Sequence, residues 1–485
     1  MPLDKWGKVW YNYRMNTTNN LDLRILVWSN PLTVDKIGKT FHYWKDSGFI
    51  FTKHLLESMP VNYRFYWVIP DKLKGKDVSW FEEANNNIEL IYYPYSTSIH
   101  QNRYEFYGDV LKKNFPYTKD IDVIINNQPE VSANLKVWAQ NQRRDNPIIL
   151  SFFHWIDCSA SRKFGTELGG YSSRQHDGSM VSDMNYFHSE YAIDLFLEQQ
   201  NKEFKNVVPR EKCSIFNPPP TKFGDEPFDL GTDKKIILFN HRLNATTGWK
   251  QVLKTLDKIY EDRQDFVLWI TDDSKIQKSK ELESREYIIN KRILPLNYGF
   301  LMSNAHFGIC NHRGYSTWNM ALLDAFFNGC FMIAPYSEED QCYINMLGRF
   351  SYLFYHNTDI PIELENRIKF FLNCDKGTID IGWSWVYRNA PALKNSGNRE
   401  KITELIESLI RSRVPEKTPA KYEEVLEFIP NSPYAPNVSK RDIVNKFWSF
   451  HVNSNFQKIR WKLLLEGVKD NTDSSEPSYY RELIE

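Results

Sequence analysis

Short apolar runs alternate with longer amphipathic stretches along most of the chain, which is the pattern of α/β layers. In the first half Arg24–Trp28, 65–69, Ile88–Tyr93, 123–125, Ile148–Phe153, 186–188 and 214–216 read as strands. Strand-plus-helix units of this length suit a parallel sheet, whose strands are buried on both faces. A segment rich in Pro, Gly and Asp, 218–233, then interrupts the pattern and reads as an interdomain linker. A second series follows at Lys235–Phe239, Phe266–Ile270, 307–310 and 331–334, and an amphipathic helix over about 400–412 closes it. Beyond residue 413 the texture changes to a Pro-containing segment and two short helical patterns. Ile443, Val444, Phe447 and Trp448 lie at helical spacing in the first, and Phe456, Ile459, Leu463 and Leu464 in the second. The expected units are therefore 1–222, 233–412 and a helical extension, 413–485.

Composition narrows the classes without selecting one. Length alone requires more than one core. Lys plus Arg and Asp plus Glu are 61 each, which disfavours a uniformly basic nucleic-acid coat but leaves room for a local patch. The six cysteines are scattered without a Cys-x-x-Cys pair and read as buried free thiols in a reducing compartment. The first residues lack the apolar core of a secretion signal, and no run reaches transmembrane length. A cytoplasmic monomer that avoids membranes is expected, and the Asn-x-Ser/Thr sites at Asn16, Asn244 and Asn437 read as chance.

Two segments carry the donor chemistry. Residues 240–250 (NHRLNATTGWK) follow a strand and open a helix. Loops leaving parallel strands at their carboxyl ends bind ligands in such sheets, and helix starts favour anions. Arg242, Lys250, Thr246 and Thr247 add two cations and two hydroxyls, an inventory suited to a departing diphosphate. A solvated surface turn is the bland alternative. Residues 311–329 repeat the arrangement: Gly314, Ser316 and Thr317 lead into a helix on which Asp324 is flanked by Leu322, Leu323, Ala325 and Phe326. A carboxylate there needs a partner, and a ribose diol would serve. An Asp on the helix's solvent edge is the alternative.

These two motifs resemble the C-terminal half of retaining GT-B glycosyltransferases. That pattern has an Arg and a Lys after the first strand of the second domain and a helix bearing Leu-Glu-Ala-x-x-x-Gly. Residues 323–329 fit the latter with Asp324 in place of Glu, while Ser316 stands where the family often has another Glu. Narrower matches point to the hydroxymethylpyrimidine-DNA glycosyltransferases of T-even phages. Thr-Thr-Gly-Trp-Lys at 246–250 resembles their Thr-Thr-x-Trp-Lys, Asn217 to Pro220 their Asn-x-x-Pro-Pro, and His154 with Asp157 their strand-end His-Asp. The echoes fall in matching order over 148–334. The resemblance implies two Rossmann-like domains facing a cleft, a nucleotide-sugar co-substrate (UDP-sugar), retention of configuration and no obligatory metal.

The remaining signals are read beside that resemblance. His154 ends an apolar strand; a histidine can donate or accept near neutral pH, and the resemblance places it by the transferred sugar, although a core histidine bonded to backbone fits the sequence too. The loop 33–40 contains Gly38-Lys39-Thr40, but Thr33 stands where a phosphate-binding P-loop needs Gly. Gly38 is instead expected to help close over the diphosphate. The pairs Asp120/Asp122 and Asp272/Asp273 are acidic, but Asp120 and Asp122 precede their apolar run, so no metal site is assigned. Residues 439–469 hold seven Lys/Arg against two acids, with Lys440, Arg441, Lys458, Arg460 and Lys462 interleaved with Trp448 and Trp461. That combination suits nucleic acid, or a solvated face packed on the core. The expected activity is sugar transfer to a hydroxymethylated pyrimidine in double-stranded phage DNA. Transfer to a surface or lipid-linked glycan, and a non-enzymatic nucleic-acid-binding role on a degenerate scaffold, remain the alternatives.

Overall fold

The computed structural model describes residues 23–29, 47–57, 59–74, 87–94, 106–115, 121–142, 147–157, 171–218, 220–243, 247–271, 280–289, 293, 295–312, 317–336, 342–350, 353–356, 362–394 and 399–412. The first half forms a seven-stranded sheet of β1 (Arg24–Trp28), β2 (Arg64–Pro70), β3 (Ile88–Tyr93), β4 (Val123–Asn126), β5 (Ile148–Phe153), β6 (Met184–Phe187) and β7 (Cys213–Ile215), in the order β3-β2-β1-β4-β5-β6-β7. Every pairing is parallel. The second half contributes β8 (Lys235–Phe239), β9 (Phe266–Ile270), β10 (Ile288–Ile289), β11 (Phe307–Ile309), β12 (Met332–Tyr336) and β13 (Phe354–His356), in the order β10-β9-β8-β11-β12-β13, again all parallel.

The central strands are apolar throughout because helices cover both faces. Ile25, Leu26, Val27, Val123, Ile124, Ile125, Ile148, Ile149 and Leu150 are fully buried. Each such side chain contributes about 1.5–3 kcal/mol by leaving water. Crossover helices bury one stripe. In Trp249–Asp262, Val252, Leu253, Leu256 and Ile259 face the core while Lys250, Lys254 and Lys258 stay in solvent. Both sheets reverse strand order beside their first strand, between β1 and β4 and between β8 and β11. The crevice at such a reversal is where parallel sheets take ligands.

Between the sheets the described residues from 220 to 234 are without helix or strand, and the segment is tied to the second half. The Thr221 N–H donates to Asp324 Oδ1 at 2.7 Å, and the Phe223 N–H to Asn328 Oδ1 at 3.0 Å. Gly299 N donates to the Gly224 carbonyl at 2.9 Å, an approach that leaves no room for a side chain at Gly224, whose Cβ would lie 2.3 Å from the Leu296 oxygen.

The helix Arg399–Ser412 corrects the expected layout. It was expected to close the second half. Instead Ile402 and Ile406 are buried in the core of the first sheet with Phe51, Phe152 and Phe216, and Leu405 and Leu409 pack against that core. Tyr63 donates to Glu407 at 3.3 Å. An amphipathic pattern specifies an apolar face but not which core it covers. Among the described residues no helix is long and apolar enough to cross a membrane.

Candidate active site

The strand ends of the second half are held by amides rather than by charges. Asn311, fully buried after β11, donates from Nδ2 to the Gly248 carbonyl at 2.9 Å and to Gln251 Oε1 at 3.2 Å. Its Oδ1 lies 2.7 Å from the Tyr355 hydroxyl, which also reaches the Cys310 carbonyl at 2.8 Å. This contact sets the start of the Trp249–Asp262 helix against β11. Gly248 there has φ +60°, and a Cβ would meet Asn311 Nδ2 at 2.4 Å, so the turn requires glycine twice over. Asn240, after β8, donates to the Ala321 carbonyl at 2.6 Å. Asn319 caps the Met320–Phe327 helix through Leu322 N at 3.0 Å and donates to Tyr343 at 3.3 Å.

On this frame the two cations of the first motif point outward. Arg242 and Lys250 are exposed, with Lys250 Nζ 5.4 Å from the Trp249 ring centre. Thr247 is buried and its hydroxyl donates to the Arg242 carbonyl at 2.7 Å, so it shapes the loop that carries Arg242. Thr317 is buried at the entry to the second helix. Asp324 is partly buried, and burial pushes its carboxyl up to about 7 although the Thr221 N–H favours the charged form. Gly38, Thr246, Gly314, Ser316 and the tail residues Lys440, Arg441, Lys458, Arg460 and Lys462 lie outside the described residues, as do Asp120, Asp272 and Asp273.

Two histidines unremarked in the sequence stand beside the cations. His241 is buried, its ring 5.5 Å from Phe239, and burial together with the nearby His312 pulls it down to about 3. Burial pulls His312 down to about 4. Both are neutral at physiological pH.

In the first half, His154 follows β5 with its ring edge-on to Phe51 at 4.5 Å and 5.1 Å from the His188 ring. His188, after β6, is fully enclosed and pulled down to about 4 by burial, with Nδ1 3.5 Å from the Phe216 carbonyl. Its other neighbour belongs to the opposite half: the Trp318 ring lies 5.6 Å away. The loop after β6 therefore meets the loop after β11, with His154 packed behind His188. Asp157 is elsewhere. It is fully buried, its Oδ2 accepts the Ser172 N–H at 3.0 Å, and its own N–H donates to Gln175 at 3.0 Å. It anchors the start of the Tyr171–Val181 helix and the His154 loop. A direct chemical role had been expected for this carboxylate; its geometry is that of a positioning group, because no oxygen reaches solvent.

No known family profile and no curated protein matches the chain by sequence. Solved structures do match. The E. coli trehalose-6-phosphate protein bound with UDP-2-fluoro glucose superposes with a TM-score of 0.56 at 12% identity over 81% of this chain and 100% of its own. Anabaena HepE in complex with UDP gives 0.54 at 12% identity over 80% and 100%. A glycosyltransferase from Rickettsia africae gives 0.51 at 11% identity over 81% and 100%. The chain has the GT-B fold. At this identity the likeness concerns architecture: two parallel sheets with helices, their strand ends face to face, as the motifs at 240–250 and 311–329 had implied. His188 and Trp318 lie where the two halves meet, and Asn311, Asn319 and Tyr355 hold the strand ends of the second half. Sequence reasoning missed these polar groups, although a run of Asn and His directly after apolar strands was the available signal.

Proposed function

We propose that the chain is a glycosyltransferase that moves a sugar from a UDP-sugar to a hydroxymethylated pyrimidine in double-stranded DNA, with retention. The observation that carries the transferase reading is the meeting of His188 with Trp318 at 5.6 Å, which brings the strand ends of one half onto the loop before Asp324 in the other. The exposed Arg242 and Lys250 then lie on the donor wall, where they neutralise charge on the departing diphosphate. Thr246, Gly314, Ser316 and Thr317 complete the phosphate contacts, Thr247 fixes the loop, and Gly38 belongs to the loop that covers them. Asp324 takes the ribose as well as the linker's Thr221 N–H, which its Oδ1 accepts. His154 sits by the reacting sugar. With retention, the bond from the anomeric carbon to the diphosphate oxygen breaks and the acceptor oxygen bonds the same face. The acceptor proton passes to the leaving phosphate.

The side-chain cations Arg242 and Lys250 and the helix starts serve where other transferases use a metal, so none is required. The DNA acceptor rests on the Thr-Thr-Gly-Trp-Lys match at 246–250 and on the basic tail. A base within a duplex would be flipped into the cleft, and cytoplasmic action by a monomer fits that role. The test is incubation with UDP-sugars and either hydroxymethylcytosine DNA or plain DNA, followed by nucleoside mass spectrometry. A hexose or pentose mass on the modified base alone is expected; no added mass on any modified DNA refutes the acceptor.

A further inference from the structure

Two ring nitrogens at the strand ends of the second half have no partner among the described residues. His241 Nε2 and His312 Nδ1 are both buried and make no hydrogen bond to any described residue. They follow adjacent parallel strands, since β8 pairs with β11 through Leu238 and Gly308. His241 is 5% exposed and immediately precedes Arg242. Leaving a buried polar atom unpaired costs about 1–3 kcal/mol, so two at one strand-end crevice call for a partner from outside the chain. Nearby polar groups are already occupied. Tyr355 is bound to Asn311 and Cys310, the Tyr343 hydroxyl reaches the His312 carbonyl at 3.3 Å, and the Cys310 thiol lies 3.4 Å from Tyr343. Arg242 in the adjoining loop and Lys250 in the first turn of the helix are charged, and both are exposed.

We infer that His241 Nε2 and His312 Nδ1 are uncharged hydrogen-bond donors to the donor's diphosphate oxygens, an inner pair of contacts behind the outer cations Arg242 and Lys250. The inference rests on the transferase reading and deepens its donor site. A neutral imidazole in a dry site presents an N–H without the cost of burying a charge. Anionic oxygens are acceptors only, so they satisfy both nitrogens at once. The outer cations attract the diphosphate; the inner pair fixes its depth.

The test follows the histidine ring nitrogens by NMR in the full-length protein during titration with UDP, inorganic pyrophosphate and uridine, with resonances assigned from His241→Gln and His312→Gln. UDP and pyrophosphate are expected to move both sets of signals, and uridine neither. UDP affinity should fall about tenfold in His241→Leu and less in His241→Gln, which keeps a neutral donor. Thermal melts check that each variant is folded. If UDP binds but the histidine signals stay in place, or if uridine moves them equally, the assignment is overturned while the transferase reading stands. Failure of UDP, pyrophosphate and every UDP-sugar tried to bind overturns both.

Discussion

The two walls of the cleft are built on opposite plans. In the first half the strand-end groups are enclosed: His188 is buried, and Asp157 is spent on the start of a helix. In the second half the enclosed groups are neutral too, the amides Asn311 and Asn319 and the imidazoles of His241 and His312, but charges stand outside them at Arg242 and Lys250. A wall of neutral groups around His154 suits an acceptor that brings no charge to the reacting centre. A rigid neutral frame with cations at its rim suits a ligand that leaves with negative charge. The difference is one of position more than of composition, since each half contributes polar residues at the same place, after parallel strands.

Substitutions break this contrast to different degrees. Arg242→Ala and Lys250→Ala are each expected to lower kcat by about 100-fold, as losing one charge-stabilising group does. Because both side chains are exposed, melting temperatures should barely move; equal turnover in either variant removes it from the donor wall. Asp157→Ala should do the reverse and destabilise by about 2 kcal/mol, through the stranded Ser172 N–H. Denaturant melts read this, and a variant that stays fully stable yet inactive would restore a direct chemical role.

Acid should loosen the cleft. His188 and His312 are held near 4, below the 6.5 of an unfolded histidine. Their contribution is therefore complete above pH 6.5 and lost as pH falls from there toward 4. Each adds on the order of 1–2 kcal/mol of loss between pH 7 and 5. Melting curves across that window should flatten in His188→Gln; an unchanged slope would place the titration elsewhere. Asp324 has the opposite sign. Its carboxyl is raised from 3.8 to about 7, so its contribution is fullest below pH 4 and is lost as pH rises through 7. Asp324→Asn should be slightly more stable than the parent at pH 8, on the order of 1 kcal/mol given its partial exposure. If Asp324 also holds the ribose, that variant's KM for the UDP-sugar rises while kcat changes less. An unchanged KM leaves it only the linker.

Legibility followed physical scale. Ile148–Phe153 and Phe266–Ile270 have the bounds that their apolar runs specify, because strands buried on both faces cannot hide. The two-residue β10 and three-residue β13 escaped, being short edge strands stabilised by their neighbours. Arg242 and Lys250 were legible as charges after a strand. The partners of Asp157 were not legible, because a carboxylate after a strand looks the same whether it faces a substrate or holds a helix start. The Asn311–Gly248–Tyr355 contacts span more than a hundred residues, and no spacing rule reports them.

The helix Arg399–Ser412 has a consequence for synthesis. The first sheet's strands are complete once residue 215 has been made, yet the face that Ile402 and Ile406 cover stays bare for nearly two hundred further residues. During translation the nascent N-terminal half therefore leaves the ribosome with an open apolar seam. It is sealed only when almost all of the second half has emerged, so the two halves mature together rather than in turn.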